Sequence, residues 1–148
     1  MEIKQICKSF DELTPHQLYA ILRLRNEVFV VEQNCVFMDL DDKDQESFHL
    51  MFFIEDDLVA YSRLIPSGLY YKEISFGRVV TNKHIRGKGL GKQIVSMAIE
   101  NLYSLFGNRP IRIGAQFYLF DFYLSLGFKK TGDIYVEDGI DHIEMIKE

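Results

Sequence analysis

Cysteine is scarce in this sequence, and long apolar runs are missing from it. The two cysteines, Cys7 and Cys35, belong to no CxxC pair and no cysteine–histidine cluster, so we expect no zinc site or other bound metal. A domain of this size needs no disulfide, and reduced thiols in a cytoplasmic protein are the better interpretation. No apolar run approaches the roughly 18 residues that cross a bilayer. The N-terminal segment has no apolar signal-peptide region either, so we expect no membrane partner.

Positive charge is also in deficit, since 17 Lys and Arg stand against 22 Asp and Glu, for a net charge of −5. General nucleic-acid binders are basic, so the sequence predicts no nucleic-acid partner.

Hydrophobic residues make up 47% of the chain, including 12 Phe and 8 Tyr, which is enough for a full core. The length predicts one domain over residues 1–148. The abundant Phe and Tyr would serve a homodimer interface as readily as a core.

Alternating signals for strands and helices predict an α/β domain. We expect the order strand, helix, three strands, glycine-rich loop, helix, strand, helix and two strands. Asp56-Asp57 is predicted as the turn of a hairpin. The predicted strands cover residues 2–7, 49–56, 58–65, 73–81 and 111–115, with a last strand at 141–148 that pairs with a segment near 128–136.

Three helices are predicted from capping residues and apolar spacing. In the first, Thr14 is the N-cap, Pro15 opens the helix and Gln17 completes a capping box. The second starts near Gly89 and stops at Gly107. The third covers residues 116–126 and stops at Gly127. The apolar face of the first helix consists of Leu18, Ile21, Leu22, Val28 and Phe29.

One short segment reverses the acidic balance of the chain. Residues 83–92 contain four Lys or Arg, one His and three Gly, and no carboxylate. The segment follows a predicted strand and leads into a helix whose apolar residues lie four apart. Free N–H groups at a helix start bind anions, cationic side chains add charge, and glycines let a phosphate approach the backbone. The sequence therefore predicts a phosphate site here, with a solvated glycine turn as the alternative.

The spacing of the glycines and charged residues within this segment distinguishes between the known phosphate-binding motifs. A P-loop would need Ser or Thr where Gln93 stands and glycine where Arg86 stands. The dinucleotide fingerprint GxGxxG would need glycine in place of Lys92 or Ile94. The spacing that fits is Arg-x-x-Gly-x-Gly, at residues 86–91. It resembles the pyrophosphate signature of the GNAT superfamily, the acyl-CoA-dependent N-acetyltransferases.

A second motif strengthens this resemblance. Tyr123, Gly127 and Phe128 resemble the Tyr-x-x-x-Gly-Phe found in the last helix of that superfamily. Many relatives have Asn-x-x-Ala ahead of this tyrosine, whereas Gln116 and Leu119 stand here. The segments at 24–35, 78–80, 86–92, 115–128 and 135–145 together resemble the ElaA-like branch over nearly the whole chain.

The resemblance implies a GNAT fold, in which a mixed central β-sheet flanked by helices is splayed between the fourth and fifth strands. It implies transfer of an acetyl group from acetyl-CoA to a primary amine, on a small molecule or a protein, by direct attack. Backbone N–H groups near Val79 or Val80 would stabilise the oxyanion. The residues expected to bind the cofactor are Val79, Val80, Arg86, Gly87, Lys88, Gly89, Leu90, Gly91, Lys92, Gln116 and Tyr123.

Two residues are expected to carry the chemistry. Tyr123 is the candidate acid for the departing CoA thiolate, and a hydroxyl that only hydrogen-bonds the sulfur is its alternative. Glu32, just beyond the first helix, is the candidate base, while most other carboxylates of residues 32–46 are interpreted as a solvated acidic loop. Cys35 has no histidine nearby in sequence, which disfavours a covalent mechanism. The expected substrate-binding residues are Glu32, Gln33, His49, Arg78 and His142.

Two alternative functions would also use the glycine-rich segment for binding. A non-catalytic module that senses acyl-CoA would use the same segment without an acid or a base. A phosphate- or nucleotide-binding protein would bind ATP in competition with CoA.

Overall fold

Residues 2–148, which the computed structural model describes, form eight strands and three α-helices. The order is the expected one, except that the segment near 128–136 contributes two short strands where one was predicted. The strands are β1 (Lys4–Ser9), β2 (Phe48–Ile54), β3 (Asp57–Ile65), β4 (Ser75–Thr81), β5 (Ile111–Gln116), β6 (Lys129–Lys130), β7 (Tyr135–Glu137) and β8 (Ile140–Lys147). The helices are α1 (Pro15–Arg25), which continues as a π-helix over Asn26–Glu32, α2 (Leu90–Phe106) and α3 (Phe120–Ser125). None of these helices has the length and apolar character that a membrane crossing requires.

The strands form two antiparallel sheets that meet at one corner. The first has the order β1-β2-β3-β4, and in the second β8 pairs with β5 on one edge and with β6 and β7 on the other. At the corner Ile74 and Ile111 form a parallel bridge, and the Arg112 N–H donates to the Ile74 carbonyl at 3.0 Å. No further ladder pair joins β4 to β5 among the described residues, so their C-terminal ends diverge. The expected fold, splayed between the fourth and fifth strands, is confirmed.

The main core lies between α2 and the two sheets. The predicted stripe of α2 is buried at Leu90, Ile94, Ala98 and Leu102, each 2% exposed or less. A fully buried Leu or Ile side chain contributes about 1.5–3 kcal/mol relative to an exposed one. On the other face of the first sheet, α1 buries a smaller cluster of Ile21, Leu24, Val28, Met51, Leu58, Tyr61 and Val80. The first sheet is therefore held between α1 and α2, which fixes the position of β4.

The start of α1 confirms the predicted capping box. The Gln17 N–H donates to the Thr14 hydroxyl at 3.1 Å, and the Thr14 N–H donates to the Gln17 side-chain oxygen at 3.0 Å. Pro15 occupies the first turn, where its missing N–H leaves no helix hydrogen bond unmade. This helix start is thus specified by residues next to one another in sequence.

Two predicted boundaries were wrong, because both depend on strand pairing. Asp57 pairs with Ile54 as the first residue of β3, so the hairpin turn is Glu55-Asp56, with Glu55 at a φ of 54°. Gln116 pairs with His142 and ends β5, so it does not begin the third helix. Residues 117–119 form a 3₁₀ turn, and α3 starts only at Phe120.

Candidate active site

The diverging ends of β4 and β5 open a cleft with a volume of about 560 Å³. Its walls come from the π-helix, from β4, from the start of α2 and from β5, α3 and β8. The following predicted site residues line it: Glu32, Gln33, Arg78, Val79, Val80, Arg86, Gly91, Lys92, Gln116, Tyr123 and His142. The fold thus brings together residues from distant parts of the chain in one concave site.

The wall formed by β4 carries a β-bulge at the predicted oxyanion position. Tyr61 of β3 pairs with Val80 and Arg63 pairs with Gly77, so Arg78 and Val79 stand opposite a single residue. Arg78 has a φ of 48°, in the left-handed region that non-glycine residues seldom adopt. A bulge leaves one residue outside the ladder and turns its backbone groups away from the neighbouring strand. These groups can then serve a ligand in the cleft.

The glycine turn, residues 86–92, has the conformation of an anion cradle. Gly87 and Gly89 have φ values of 85° and 78°, which a residue with a Cβ would adopt only under strain. A Cβ placed on Gly87, Gly89 or Gly91 would meet no atom within 4 Å, so the space beside these positions is open.

The glycine turn borders a second, open cavity. This cavity has a volume of about 410 Å³ and shares Thr81, Arg86, Gly91 and Lys92 with the end of the cleft. Gly87, Gly89 and Leu90 complete its lining, whereas Lys88 lies exposed in the turn without lining it. The residues present therefore fit a phosphate group.

Arg86 is bound to the predicted base. Its Nη1 donates to Glu32 Oε2 at 2.5 Å and its Nη2 donates to Glu32 Oε1 at 3.0 Å, with a further bond from Nη2 to the Thr81 carbonyl at 3.2 Å. The hydrogen bonds from Arg86 lower the pKa of Glu32. A carboxylate held in its charged form is a weak proton acceptor, so this geometry does not favour Glu32 as the base.

Tyr123 lies at the opposite wall of the cleft from the π-helix. It is 5% exposed, and its ring packs against Phe76 and Phe128 at centroid distances of 6.4 and 5.7 Å. Burial raises the pKa of Tyr123 above its ordinary value, with a smaller contribution from Tyr118. The phenol is therefore protonated at neutral pH and can donate a hydrogen bond into the cleft.

His142 lies in the middle of the second sheet, opposite Gln116 on β5 and Tyr135 on β7. Its ring stacks on Tyr135 at a centroid distance of 5.7 Å and an interplanar angle of 27°.

Nearby, a Cβ on Gly114 would lie 2.6 Å from the Tyr135 hydroxyl and 3.1 Å from the Tyr71 hydroxyl. The two hydroxyl groups therefore occupy space that a side chain at position 114 would fill. We call this part of the site the aromatic end of the cleft; its rings are Phe37, Tyr70, Tyr71 and Tyr135.

A buried ion-pair network corrects the interpretation of residues 32–46 as mostly solvated. Asp39 and Asp44 are 4% and 7% exposed, and Arg25 binds both of them, at 2.9 and 2.8 Å. Arg63, 1% exposed, binds Asp44 at 2.9 Å and also binds Asp41 at 2.8 Å. Burial opposes the ionisation of Asp41, but the hydrogen bonds and charge of Arg63, together with the charge of Arg78, outweigh it and lower the pKa. The network fastens the segment after the π-helix to β3.

Arg78 extends this network to the bulge. Its Nη2 donates to the Asp39 carbonyl at 3.0 Å, and its Nε lies 2.9 Å from Asp39 Oδ1. Arg78 lines the cleft, yet its charge is already compensated by Asp39 and, at 3.5 Å, by Asp41. Arg78 was predicted as a substrate-binding residue, and in this structure its side chain pairs with an acid.

The prediction that His49 contacts the substrate is corrected by the structure. His49 is fully buried, outside the cleft, with Nδ1 2.7 Å from the Tyr61 hydroxyl and Nε2 2.9 Å from the Asp44 carbonyl. Burial lowers the pKa of His49, which favours the neutral ring. His49 therefore supports the buried network. Part of the signal for this network was present in the sequence, since Arg63 interrupts the largely apolar strand at 58–65.

Comparisons with known proteins agree with this geometry. The family model described as an acetyltransferase (GNAT) domain matches residues 15–148. The UPF0039 protein sll0451 of Synechocystis is 44% identical over 147 residues, which is 99% of this chain and 96% of that protein. Protein ElaA of Escherichia coli is 40% identical over 139 residues, 93% of this chain and 91% of ElaA.

A solved structure shows the same fold over the whole chain. The crystal structure of an acyl-CoA N-acyltransferase from Pseudomonas aeruginosa superposes with a TM-score of 0.96 at 36% identity, covering 99% of this chain and 100% of that one. The predicted resemblance is thereby confirmed. The bulged β4, the glycine turn, the family model and the relatives together establish that this chain belongs to the GNAT acetyltransferase family, in its ElaA-like branch.

Proposed function

We propose that this protein transfers an acetyl group from acetyl-CoA to a primary amine by direct attack of the amine on the thioester. One observation carries the proposal: the cleft is continuous from the cationic glycine turn, past the β4 bulge, to the aromatic end. An acyl donor whose diphosphate binds at the glycine turn and an acceptor that binds at the aromatic end would thus meet beside the bulge. The similar Pseudomonas aeruginosa protein is an acyl-CoA N-acyltransferase, which supports this class of donor.

The donor would bind along one wall of the cleft. Its diphosphate would accept hydrogen bonds from the amides of the glycine turn, with charge from Arg86 and Lys92. Its pantetheine arm would pair with the free edge of β4 at Val79 and Val80, as an added strand does. The thioester carbonyl would then lie at the bulge, where a backbone N–H can stabilise the oxyanion. Gln116, on the facing strand, is placed to bind the arm from the other side.

The chemistry needs one bond to form and one to break. The nitrogen lone pair forms the C–N bond at the thioester carbon, and the C–S bond then breaks to release CoA thiolate. A thiol has a pKa of about 8.5, whereas burial raises the pKa of Tyr123 above that of an ordinary phenol. Complete proton transfer from Tyr123 to the thiolate is therefore uphill. We assign Tyr123 chiefly the role of hydrogen-bond donor to the sulfur as charge develops on it.

The test is an acetyl-CoA consumption assay over a library of primary amines, with thiol release as the readout. Wild-type protein should release thiol with at least one amine, and Arg86→Glu should abolish release by repelling the diphosphate. Arg109→Glu makes the same charge change in the exposed loop beyond α2, at the end of that helix remote from the glycine turn, and should retain activity.

Thermal shifts with CoA and ATP separate the alternatives. A ligand at about 100 times its Kd stabilises the folded state by about 2.7 kcal/mol. Stabilisation by CoA without turnover of any amine would point to an acyl-CoA sensor. Competition between ATP and CoA would point to a nucleotide-binding protein.

A further inference from the structure

The hydrogen bonds of His142 define which of its ring nitrogens is free. Nδ1 lies 2.8 Å from the Ile140 carbonyl oxygen, which can only accept a hydrogen bond. Nδ1 must therefore carry the proton and donate it. In the neutral ring, the lone pair is then on Nε2.

Nε2 has no hydrogen-bond partner among residues 2–148. The nearest charged group is Glu137, whose Oε2 lies 3.8 Å away, beyond hydrogen-bond distance but close enough to stabilise a cationic ring. His142 is 8% exposed and lines the cleft, so a lone pair without a partner is available at its wall. Stacking on Tyr135 and the bond to Ile140 hold the ring in one orientation.

One ring at the aromatic end of the cleft, that of Tyr70, already contacts an ammonium group. The Nζ atom of Lys43 lies 5.6 Å from the ring centroid of Tyr70, within the range of a cation–π contact. Glu137 and Asp138 line the same region and add negative charge. An amine carried on an aromatic or other apolar group would match both features of this wall.

From this geometry we propose that His142, through Nε2, takes the proton from an acceptor amine bound at the aromatic end of the cleft. The inference rests on the proposed acetyl transfer and names its base and its acceptor class, an amine attached to an aromatic or apolar group. The proton moves from the attacking nitrogen to Nε2 as the C–N bond forms, and the C–S bond then breaks. The imidazolium is stabilised by Glu137 and by the Ile140 carbonyl, and it later returns the proton to solvent.

The charged and titratable groups around His142 affect the pH profile of the reaction. Tyr135 and Glu137 face it from β7, and Gln116, which does not titrate, faces it from β5. On β8 itself Glu144 lies two residues away, and Arg112 compensates its charge at 2.7 Å. The remaining titratable groups along this stretch of the cleft are Tyr70, Tyr71, Arg78 and Asp138. Glu137 is thus the uncompensated carboxylate nearest to the ring in this part of the chain.

The experiment measures kcat against pH with 2-phenylethylamine and with ethanolamine, both amine and acetyl-CoA being saturating. An imidazole base changes charge between about pH 5 and 8, so wild-type kcat should fall on the acidic side. His142→Gln should lower kcat by about 10²- to 10⁴-fold, the range for a general base, and should remove that acidic limb. His16→Gln, an exposed histidine in the first turn of α1, is the matched control and should keep both rate and profile.

Glu137→Gln tests the same role without touching the buried ring. Removing this carboxylate takes away a negative charge beside the ring, so kcat should fall while CoA binding stays unchanged. An unchanged acidic limb in His142→Gln would overturn the role of His142. Equal kcat/KM for the two amines would overturn the acceptor class. Absence of turnover with every amine, despite stabilisation by CoA, would instead overturn the proposed function and this inference with it.

Discussion

Arg86 and Glu32, 54 positions apart in sequence, face each other at the glycine-turn end of the cleft and share two guanidinium–carboxylate hydrogen bonds. The side chain expected to bind the diphosphate of the donor thus already holds a carboxylate. A bidentate arrangement is the geometry that Arg also uses for phosphate. A diphosphate bound as proposed would therefore compete with Glu32 for the same donors.

Glu32→Gln should strengthen CoA binding by removing that competitor. A partly exposed ion pair contributes about 0.2–1 kcal/mol, which corresponds to a roughly 1.4- to fivefold lower Kd. Isothermal titration calorimetry with CoA measures the change. Glu27→Gln, which breaks the exposed pair between Arg23 and Glu27 on the same helical stretch, should leave the Kd unchanged. Weaker binding in Glu32→Gln would mean that Glu32 orients Arg86 for the ligand.

Tyr123→Phe should lower kcat by about tenfold or more, because a hydrogen bond to a charged group contributes roughly 1.5–3 kcal/mol. Steady-state kinetics with acetyl-CoA measures this loss. Tyr19→Phe removes a hydroxyl from a residue that is 73% exposed on α1 and should have no effect. Full turnover of Tyr123→Phe across the pH range would exclude both the acid and the hydrogen-bonding roles.

Gly114→Ala should disturb the aromatic end of the cleft. The added Cβ would lie 2.6 Å from the Tyr135 hydroxyl, so Tyr135 and Tyr71 must both shift. We expect a higher KM for the amine with little change in the KM for acetyl-CoA, and about 1–3 kcal/mol lower stability from overpacking. Gly132→Ala meets nothing within 4 Å and serves as the control in the same kinetic and unfolding measurements. A selective rise in the KM for acetyl-CoA would contradict the assignment of this end to the acceptor.

Asp44→Asn should lower the free energy of unfolding by about 3–5 kcal/mol, because it leaves Arg25 and Arg63 buried with one partner fewer. Denaturant unfolding at neutral pH measures this difference. Asp42→Asn, at an exposed neighbouring position, is the control.

The pH dependence of stability follows from the same network. Burial opposes the ionisation of Asp44, but hydrogen bonds from Arg25 and Arg63 outweigh it and lower the pKa. A lowered folded-state pKa stabilises the protein above the unfolded-state value of about 3.9, and this stabilisation is lost as the pH falls below it. Wild-type stability should therefore decline below about pH 4, and Asp44→Asn should show a shallower decline. Equal slopes for the two proteins would contradict the ion pairing.

Features that depend on neighbouring residues were predictable. Thr14, Pro15 and Gln17 specify the start of α1 through contacts within one turn, and the glycine turn is specified by residues that follow one another. The spacing of Tyr123, Gly127 and Phe128 carries the resemblance because all three belong to one helix and its end. Strand ends were less predictable, since Gln116 and Asp57 belong to strands only through partners elsewhere in the chain.

By itself, the sequence determined the α/β class, the order of the main elements and the position of the glycine turn ahead of α2. Only the tertiary structure decided that Asp39 and Asp44 are buried partners of Arg25, that Glu32 binds Arg86, and that His142, and not His49, reaches the cleft. The physical reason is that local structure arises from backbone hydrogen bonds and apolar spacing within a few residues. The charge state and accessibility of a side chain depend instead on which distant residues the two sheets bring against it.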